Sequence, residues 1–323
     1  MGERGLVAYR VLVTPRSFGA GSDEPIRILE EAGCEVVWAT GNSPLTEDEL
    51  LGQVRGIDGM IVGLDQVSSR VIAAADRLRV ISKYGVGLNN IDLQEARSRG
   101  IVVTYTPNAN TEAVADLTMG LLLACARKIP MADRSVRSGE WRRFIGSAVW
   151  KKTIGIVGTG RIGRAVVRRA TGFNMRILCC DKVEDPAFAA HYRAEYVPLD
   201  DLLRESDYVT LHVPLTEETA GFIGSREFSL MKKTAFLINT ARGEVVDEEA
   251  LYHALSTGRI AGAALDVFCS EPPTGSRLLS LDNVVLTPHM GAHAVEAIIE
   301  MGLAASRNVI AVLRGEEPEA VAR

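Results

Sequence analysis

Three polar residues late in the chain, Arg242, Glu271 and His289, carry the side chains that proton and hydride chemistry on a small acid requires. Oxidation of a secondary alcohol needs a base that takes the hydroxyl proton, and histidine can serve as that base near neutral pH. A neighbouring carboxylate orients the imidazole, and an arginine binds a substrate carboxylate through two parallel hydrogen bonds. Each of the three residues follows an apolar segment. Because the carboxyl ends of parallel strands meet at one edge of a sheet, the sequence predicts that they share a site.

A glycine-rich segment earlier in the chain has the pattern of a dinucleotide-binding turn. Gly158, Gly160 and Gly163 follow an apolar strand and open a helix, and the next apolar strand ends at Asp181. These glycines allow a tight turn, a close approach to a pyrophosphate and close packing of the helix, whose first N–H groups bind phosphates. NAD is favoured over NADP, because Asp181 would bind a ribose 2′-hydroxyl and repel a 2′-phosphate. Lys182 next to it would offset part of this charge.

Each of these residues also has a purely structural interpretation. Arg242 is compatible with a surface cation, Glu271 with an ordinary loop acid before two prolines, and His289 with a structural histidine. Two further histidines, His212 and His293, lack comparable neighbours. His293 follows His289 at a spacing that two metal ligands on a helix can have, but the chain contains no HExxH motif, so no metal is expected.

The composition is typical of a globular protein with two domains. The chain has 323 residues, of which 47% are hydrophobic, and a net charge of −5. This charge argues against nucleic acid or an anionic membrane as a partner. The five cysteines form no CxxC pair and mostly lie in apolar runs, which is typical of buried, reduced thiols in a cytoplasmic protein. No signal peptide is recognisable at Met1–Arg4, and the longest apolar run, Leu117–Ala126, is too short to cross a bilayer.

Alternating apolar segments predict an α/β fold with two doubly wound parallel-sheet domains. Strands in the first part are predicted at Val7–Val13, Cys34–Ala39, Gly59–Val62, Arg79–Ser82 and Ile101–Thr104. A second set begins near Trp150 and supplies six strands, enough for a full Rossmann sheet. We therefore predict a flavodoxin-like substrate-binding domain at residues 1–104 and 288–323, and a Rossmann cofactor domain at residues 105–287. An active-site cleft is expected between the two domains.

Three further segments have predicted structures. Pro107–Lys128 is expected to contain one long apolar helix with Asn110 or Thr111 as its N-cap, and Ala294–Leu313 to form an amphipathic helix that ends at Gly315. The acidic tail Glu316–Arg323 is expected to be loose. The helix at Pro107–Lys128 and the arm Met131–Phe144 offer more apolar surface than one subunit can cover, so a homodimer is expected.

Four segments together resemble the D-isomer-specific 2-hydroxyacid dehydrogenases. They are Gly158–Gly163, Asn239–Asp247, Gly262–Phe268 and Pro288–Ala292. Within that family, Tyr105–Asn110 and Cys125–Pro130 are most similar to the 3-phosphoglycerate dehydrogenases. The resemblance implies an NAD-dependent enzyme that interconverts a D-2-hydroxy acid and its 2-oxo acid, and it also implies a homodimer.

The resemblance also implies roles for individual residues. His289 would be the acid and base, Glu271 would support it, and Arg242 would bind the substrate. The implied substrate loop, whose backbone N–H groups bind the carboxylate, consists of Lys83, Tyr84, Gly85, Val86 and Gly87. Asp266 would contact the carboxamide of the nicotinamide. The full set of implied cofactor contacts is Val86, Gly158, Gly160, Arg161, Ile162, Gly163, Asp181, Val213, Pro214, Thr240, Ala241, Asp266, His289, Gly291 and Ala292.

The expected substrate is an anionic D-2-hydroxy acid with a second negative group, foremost the D-3-phosphoglycerate of serine biosynthesis. Lys83 would bind the phosphate, joined by Arg142 and Arg143 across a dimer interface. Two departures from the family pattern leave the substrate open, because position 83 is often arginine and Asn89 replaces a usual acid. Hydroxypyruvate, glyoxylate and phosphonate analogues remain alternatives, and Trp141–Arg143 is also compatible with a solvated basic patch. The non-enzyme alternative is an NAD-sensing corepressor, whose usual peptide-binding additions are not recognisable in this sequence.

Overall fold

The computed structural model describes residues 9–42 and 44–322. Contacts between residues divide the chain into two compact units, one of Met1–Asn110 with Ala292–Arg323 and the other of Thr111–Gly291. Both boundaries lie a few residues beyond those predicted at 104/105 and 287/288. The second differs because the His289 N–H donates to the Asp266 carbonyl at 2.8 Å, which keeps this segment in the second unit. The predictions for Met1–Arg4, for Val7 and Ala8 and for Arg323 fall outside the described residues.

Five parallel strands form the sheet of the first unit. They are β1 (Tyr9–Val13), β2 (Cys34–Trp38), β3 (Gly59–Val62), β4 (Val80–Lys83) and β5 (Val102–Thr104). The connecting helices are α1 (Glu24–Glu31), α2 (Glu47–Leu51), α3 (Ser69–Ala74) and α4 (Leu93–Ser98). All residues of β3 and β4 are buried, as expected for a parallel sheet that helices cover on both faces. The strand order β2-β1-β3-β4-β5 confirms the predicted flavodoxin-like domain.

Three of these helices begin at side chains that satisfy their first N–H groups. Thr46, Ser68 and Asp92 each accept a hydrogen bond from the backbone N–H three residues later. Such caps typically contribute about 1 kcal/mol each. They fix where the helices start, and therefore where the loops after the strands must end.

Seven parallel strands form the sheet of the second unit. They are β6 (Thr153–Val157), β7 (Arg176–Cys180), β8 (Ala194–Tyr196), β9 (Tyr208–Leu211), β10 (Phe236–Asn239), β11 (Gly262–Leu265) and β12 (Val284–Leu286). The helices are α5 (Thr111–Ala126), α6 (Ile129–Arg137), α7 (Arg161–Thr171), α8 (Pro186–Tyr192), α9 (Leu199–Glu205), α10 (Ser225–Leu230) and α11 (Glu248–Ser256). One core cluster joins α5 and α7 to the sheet, and the other joins α9, α10 and α11 to it.

The strand order β12-β11-β10-β9-β6-β7-β8 is that of a Rossmann sheet, with its two halves meeting at β6 and β9. The prediction of six strands was one strand short. The missing strand, β8, has only three residues, lies at the edge and contains the exposed Glu195, so no apolar run marks it. The predicted Rossmann domain itself is confirmed, and its crevice lies where the order of the strands reverses.

The long apolar helix predicted within Pro107–Lys128 is α5, and its start agrees with the expected N-cap at Asn110 or Thr111. Asn108 has a positive φ of 72°, and α5 begins at Thr111. Lys128, with φ 55°, separates α5 from α6, which contains Pro130 in its first turn. The predicted arm is therefore helical at its start, and residues 140–149 have no regular secondary structure.

The last helix returns to the first unit. Helix α12 (Val295–Arg314) ends at Gly315, whose φ of 78° allows the left-handed turn, so the predicted helix is confirmed. The prediction of a loose tail was wrong. Tyr105 N donates to Ala320 O at 3.4 Å and Ala322 N to Val103 O at 2.8 Å. The tail lies antiparallel along β5, because an edge strand presents unpaired backbone groups.

Two further expectations concern the environment of the chain. In the described residues, no helix has the length and apolar character needed to cross a membrane. Three cysteines are buried as expected, but Cys269 is exposed, because it lies in the loop that follows β11 rather than in a strand.

Candidate active site

The turn between β6 and α7 has the backbone geometry of a dinucleotide-binding turn. Gly158 has φ +93°, and a Cβ at Gly163 would lie 2.0 Å from the Gly158 oxygen, so a side chain there would push α7 away from the turn. A Cβ at Gly160 would meet no atom within 4 Å, so this position is open. The first helical bond runs from Arg164 N to Gly160 O, and the three N–H groups before it have no acceptor within the helix. This arrangement fits a pyrophosphate.

The carboxylate that follows β7 is held next to this turn. The Thr159 N–H and hydroxyl donate to Asp181 Oδ2 at 2.5 and 3.0 Å, and the Val183 N–H donates to Oδ1 at 3.1 Å. Burial disfavours the charged form, but these hydrogen bonds outweigh it and hold the pKa of Asp181 below its usual value. The Tyr196 hydroxyl lies 2.9 Å from the Thr159 hydroxyl. Thr159 and Tyr196 were not predicted as part of the site.

Lys182, which was expected to offset the charge of Asp181, forms an ion pair with Glu218. Both side chains are largely exposed, so the pair contributes little stability. Its geometry nevertheless places the ammonium group on a carboxylate of the β9–α10 loop.

His289 and Glu271 form a hydrogen-bonded pair in the second unit. The distance between His289 Nδ1 and Glu271 Oε2 is 2.6 Å, and each side chain is about one-quarter exposed, at 26% and 27%. The Phe268 N–H donates to Glu271 Oε1 at 3.1 Å and so fixes the carboxylate. With Nδ1 on the carboxylate, the other ring nitrogen, Nε2, is the atom that can exchange a proton with a substrate.

Asp266 holds the loop that carries His289. Its carboxylate is 1% exposed and accepts hydrogen bonds from the Thr287 hydroxyl at 2.6 Å, from Met290 N at 2.9 Å and from Gly291 N at 2.8 Å. Burial raises the pKa of Asp266, although these hydrogen bonds oppose the shift. His289 itself has a φ of 49°, which costs energy for a residue with a Cβ. The bonds to Asp266 hold the backbone in that conformation.

Arg242 follows β10 on a turn that a buried asparagine shapes. The side chain of Asn239 accepts from Ala241 N at 3.0 Å and donates to Arg242 O at 2.8 Å. A Cβ at Gly243 would lie 2.0 Å from the carbonyl carbon of Phe268, so this glycine lets the turn pack against the loop that carries Glu271. Burial lowers the pKa of the Arg242 guanidinium, and the charge of Glu271 opposes this shift. The structure therefore brings Arg242, Glu271 and His289 together at the carboxyl ends of β10, β11 and β12.

Thr118 and His212 are two residues of the second unit that were not predicted as part of the site. Thr240, a predicted cofactor contact, has its hydroxyl 2.9 Å from the buried Thr118 hydroxyl of α5. His212 follows β9, and burial lowers its pKa to about 3. Its Nδ1 is buried without a hydrogen-bond partner among the described residues. The other ring nitrogen, Nε2, lies 3.0 Å from the Thr210 hydroxyl, so the ring is held by strand β9.

Other predicted cofactor residues occupy the expected loops. Val213 and Pro214 follow β9, and the Val213 N–H lies beside the glycine turn. A Cβ at Gly291 would lie 3.1 Å from Asp266 Oδ2, which explains the glycine there. Ala292 belongs to the first unit by its contacts.

The predicted substrate loop follows β4 in the first unit. Gly85 has φ +139°, donates to the Thr106 hydroxyl at 3.0 Å and accepts from Thr106 N at 2.9 Å. The Tyr84 hydroxyl donates to Ile298 O on α12 at 3.0 Å, and burial raises its pKa to about 12. Lys83 is only 4% exposed, and its ammonium donates to Gly63 O and to Asn90 Oδ1. The lysine expected to bind a phosphate is thus part of the scaffold of the loop.

The comparisons with known proteins agree with this geometry. Residues 119–291 match the D-isomer specific 2-hydroxyacid dehydrogenase, NAD binding domain, family. The chain is 46% identical over 303 residues to a glyoxylate reductase of Pyrococcus horikoshii. This alignment covers 91% of this chain and 90% of that protein.

The chain belongs to the D-isomer specific 2-hydroxyacid dehydrogenase family.

The predicted resemblance is thereby confirmed, and the chain is an NAD-dependent D-2-hydroxyacid dehydrogenase. The cofactor is NAD, as indicated by the matching NAD binding domain, the glycine turn and the carboxylate of Asp181. A D-3-phosphoglycerate dehydrogenase of Methanocaldococcus jannaschii is 45% identical over 303 residues, covering 93% of this chain and 57% of that protein. Among solved structures, the D-lactate dehydrogenase of Aquifex aeolicus complexed with NAD and lactic acid is 30% identical, with a TM-score of 0.80 over 95% of this chain and 96% of that chain.

Proposed function

We propose that this dehydrogenase reduces small 2-oxo acids, glyoxylate and hydroxypyruvate above all, to the corresponding 2-hydroxy acids. The observation that carries the proposal is the convergence of Arg242 with the His289–Glu271 pair at the carboxyl ends of neighbouring strands. A carboxylate-binding cation and a proton donor are the two groups that reduction of a 2-oxo acid requires from the protein.

NADH, when bound, supplies the hydride that adds to the carbonyl carbon. His289 Nε2 gives a proton to the carbonyl oxygen, which becomes the hydroxyl group of the product. Glu271 accepts the hydrogen bond from Nδ1 and so fixes the orientation of the ring. The reverse reaction follows the same path, with His289 taking the hydroxyl proton.

Arg242 would bind the substrate carboxylate and polarise the carbonyl group next to it. Its guanidinium is partly buried, which disfavours its charged form, and an anionic substrate would compensate that cost. Within the first unit, we assign carboxylate binding to the backbone N–H groups of Val86 and Gly87, because the Tyr84 and Gly85 N–H groups already donate to Val62 O and to the Thr106 hydroxyl. The guanidinium and these N–H groups each recognise a 2-oxo carboxylate, whatever group lies beyond the carbonyl.

The choice of a substrate without a second anion rests on Lys83. The sequence predicts D-3-phosphoglycerate as the foremost substrate, with Lys83 as one cation of the phosphate site. In the structure this ammonium is buried and donates to Gly63 and Asn90. The identity to the Pyrococcus horikoshii glyoxylate reductase, over 90% of that protein, supports the same choice.

D-3-phosphoglycerate remains the second candidate. The 45% identical Methanocaldococcus jannaschii relative favours it, and the exposed Arg142 and Arg143 are cations that a phosphate could use. Arg142 Nη1 lies 3.7 Å from Glu140 Oε2, and the guanidinium carbon lies 5.5 Å from the centre of the Phe144 ring. An arginine engaged in this way has to exchange partners before it binds a phosphate.

A panel of 2-oxo acids assayed with NADH separates the two candidates. The panel contains glyoxylate, hydroxypyruvate, pyruvate, phosphonopyruvate and 3-phosphohydroxypyruvate. We expect glyoxylate or hydroxypyruvate to exceed 3-phosphohydroxypyruvate by about tenfold or more in kcat/KM, equivalent to ~1.4 kcal/mol of transition-state binding. A tenfold preference for 3-phosphohydroxypyruvate would reverse the order of the candidates.

The preference for NAD over NADP should depend on Asp181. Asp181→Ala removes the charge that repels a 2′-phosphate and the acceptor for ribose hydroxyls, so kcat/KM should fall for NADH and rise for NADPH. We expect the ratio of the two efficiencies to change by about 100-fold, as two lost charge-assisted hydrogen bonds would give. Glu217→Ala, a change of the same charge in an adjacent loop, is the control and should leave the ratio unchanged. An unchanged ratio in Asp181→Ala would remove this residue from cofactor selection.

We propose that the enzyme is a homodimer. Trp141 and Ile145 in the irregular segment 140–149 are 81% and 90% exposed, and Ile129 and Val136 of α6 are more than half exposed. Beside them a cavity of about 350 Å³ is lined by side chains of α5, α6 and β12. So much apolar surface in one region is typical of a subunit interface.

Light scattering at micromolar concentration should give the mass of a dimer. Ile145→Ser with Trp141→Ser should shift the protein toward the monomer, because the two side chains lose most of the apolar area they would bury. Trp38→Ser, a comparable change of an exposed tryptophan in the first unit, should leave the mass unchanged. A monomeric wild-type protein would contradict the proposal.

The cytoplasm is the compartment we propose for this enzyme. All five cysteines are free thiols in the structure, and such thiols persist in a reducing compartment.

A further inference from the structure

The two ends of the predicted substrate loop are joined by a side-chain hydrogen bond. Strand β4 ends at Lys83, and Asn90 follows the loop of residues 84–89. Lys83 Nζ donates to Asn90 Oδ1 at 2.8 Å, and this bond spans the base of the loop. Because Lys83 is 4% exposed, the bond lies below the loop and is shielded from water.

The same two side chains fasten the loop to the turn after β3. Lys83 Nζ donates to Gly63 O, and Asn90 Nδ2 donates to Gly63 O at 3.1 Å and to Asp65 O at 2.6 Å. The backbone of this region is joined as well, because Val67 N donates to Asn90 O at 2.8 Å. The base of the loop is therefore attached to a second, rigid strand end.

A buried carboxylate completes the arrangement. Asp65 is 2% exposed, and its oxygens accept from Gly63 N at 3.1 Å, from Leu45 N at 2.8 Å and from the Thr14 hydroxyl. The Gly63 N–H thus donates to the buried anion, and the Gly63 carbonyl accepts from the buried cation. Such buried polar networks specify one conformation when their members are hydrogen-bonded, and they are costly to break at one point.

We propose that Lys83 and Asn90 form a clasp that positions the backbone N–H groups of Val86 and Gly87 to bind the carboxylate of the substrate. The inference rests on the proposed reduction of 2-oxo acids. Lys83 is then a positioning residue that acts through the loop, and it does not bind a second negative group of the substrate. We use the name clasp for the Lys83 and Asn90 side chains with their bonds to Gly63 and Asp65.

The physical reason for such a clasp is that backbone ligands have no side chain to adjust. A carboxylate bound by N–H groups needs those groups at fixed positions, and Gly85 and Gly87 have no side chain that could hold the backbone in place. The bond between its ends limits the conformations of the six-residue segment. The clasp replaces the rigidity that the glycines remove.

The clasp and a phosphate-binding role predict different kinetic patterns. Lys83→Met keeps the length of the side chain and removes its donors. If the clasp positions the loop, KM should rise by about tenfold or more for glyoxylate, hydroxypyruvate and 3-phosphohydroxypyruvate alike, because misplaced ligand groups affect every substrate. Asn90→Leu should give the same pattern, Lys83→Arg should restore part of the affinity, and the Kd for NADH should stay within twofold. A loss confined to 3-phosphohydroxypyruvate would assign Lys83 to a phosphate site and overturn the proposal.

A matched control separates positioning from general stability. Asp58 is 4% exposed at the amino end of β3, where it accepts from Arg10 N and from the Arg77 guanidinium. Asp58→Asn should lower Tm by weakening the same unit at the opposite end of the same strand, yet leave KM unchanged. If KM rises in Asp58→Asn as much as in Lys83→Met, the effect is one of stability and the clasp is refuted.

Amide hydrogen exchange tests the clasp even if none of these acids is a substrate. Residues 84–89 should exchange faster in Lys83→Met and in the milder Lys83→Gln, while the rest of the sheet in the first unit keeps its protection. Unchanged exchange in this loop would refute the clasp. Failure of the wild-type enzyme to reduce any acid of the panel would refute the proposed function instead.

Discussion

Replacement of His289 by alanine should lower kcat about 100- to 10,000-fold, the usual contribution of general acid–base catalysis. The imidazole is the group placed to deliver a proton, because Nδ1 lies 2.6 Å from Glu271 Oε2 and leaves Nε2 for the substrate. The turn that we propose for cofactor binding lies between β6 and α7 and is unchanged in the variant. The Kd of NADH, measured by fluorescence titration, should therefore remain close to that of the wild type.

The control for this experiment is His253→Ala. His253 lies on α11 in the same unit and pairs with Glu249 at 3.2 Å on the surface, so its removal should not change kcat. Glu271→Gln keeps the size of the side chain and removes the charge next to the ring, and it should give an intermediate kcat. Retention of a tenth or more of the wild-type kcat in His289→Ala would exclude His289 as the proton donor.

The parts of the fold and site that could be predicted share one property, which is that local sequence determines them. The spacing of Gly158, Gly160 and Gly163 predicts the dinucleotide-binding turn directly. Any side chain at the first or third position would collide with backbone, so the turn requires glycine there. Polar residues that directly follow apolar strands must lie at the carboxyl edge of a parallel sheet. Arg242 and His289 could therefore be placed near each other without knowledge of the fold's details.

The parts that could not be predicted depend on contacts between distant segments. The three-residue strand β8 owes its existence to pairing with β7. The acidic tail lies along β5 because that edge is available, and nothing in the tail itself indicates a strand. Asp266 could be recognised as important, but its bonds to Thr287, Met290 and Gly291 depend on a loop that follows a different strand.

Lys83 shows the same limit most clearly. A lysine in a glycine-rich loop is expected to extend toward an anionic ligand, because its charge is costly to bury. Here Gly63 and Asn90 supply acceptors inside the unit, and these hydrogen bonds offset the cost of burying the Lys83 ammonium group. Residue type alone could not distinguish a ligand from a structural cation, and this distinction changes the substrate that we propose.

Several independent features of the structure position the Arg242 guanidinium next to the acid–base pair. Asn239 shapes its turn from within, with two hydrogen bonds to the backbone. Gly243 allows the turn to lie against Phe268, and so brings the guanidinium toward the charge of Glu271. A partly buried cation held so close to the acid–base pair is placed to bind the carboxylate of the molecule on which that pair acts.

Arg242→Ala should therefore lower kcat and raise KM together. Loss of a bidentate, partly desolvated charge contact costs about 2–5 kcal/mol, which corresponds to roughly 30- to 4000-fold in kcat/KM. Arg242→Lys should recover only part of this loss, because an ammonium group cannot reproduce the planar pair of donors. The measurement is steady-state kinetics with glyoxylate and hydroxypyruvate at saturating NADH.

Two further results would show that the guanidinium itself is responsible. Added guanidinium salt should restore part of the kcat of Arg242→Ala, since the deletion leaves space for the ion next to Glu271. Arg204→Ala removes an exposed arginine of the same unit, paired with Asp201 at 3.0 Å, and should change neither constant. If Arg242→Ala raised KM while kcat stayed at the wild-type value, the arginine would bind the substrate without polarising it in the transition state. Its role in the chemical step would then have to be given to another group.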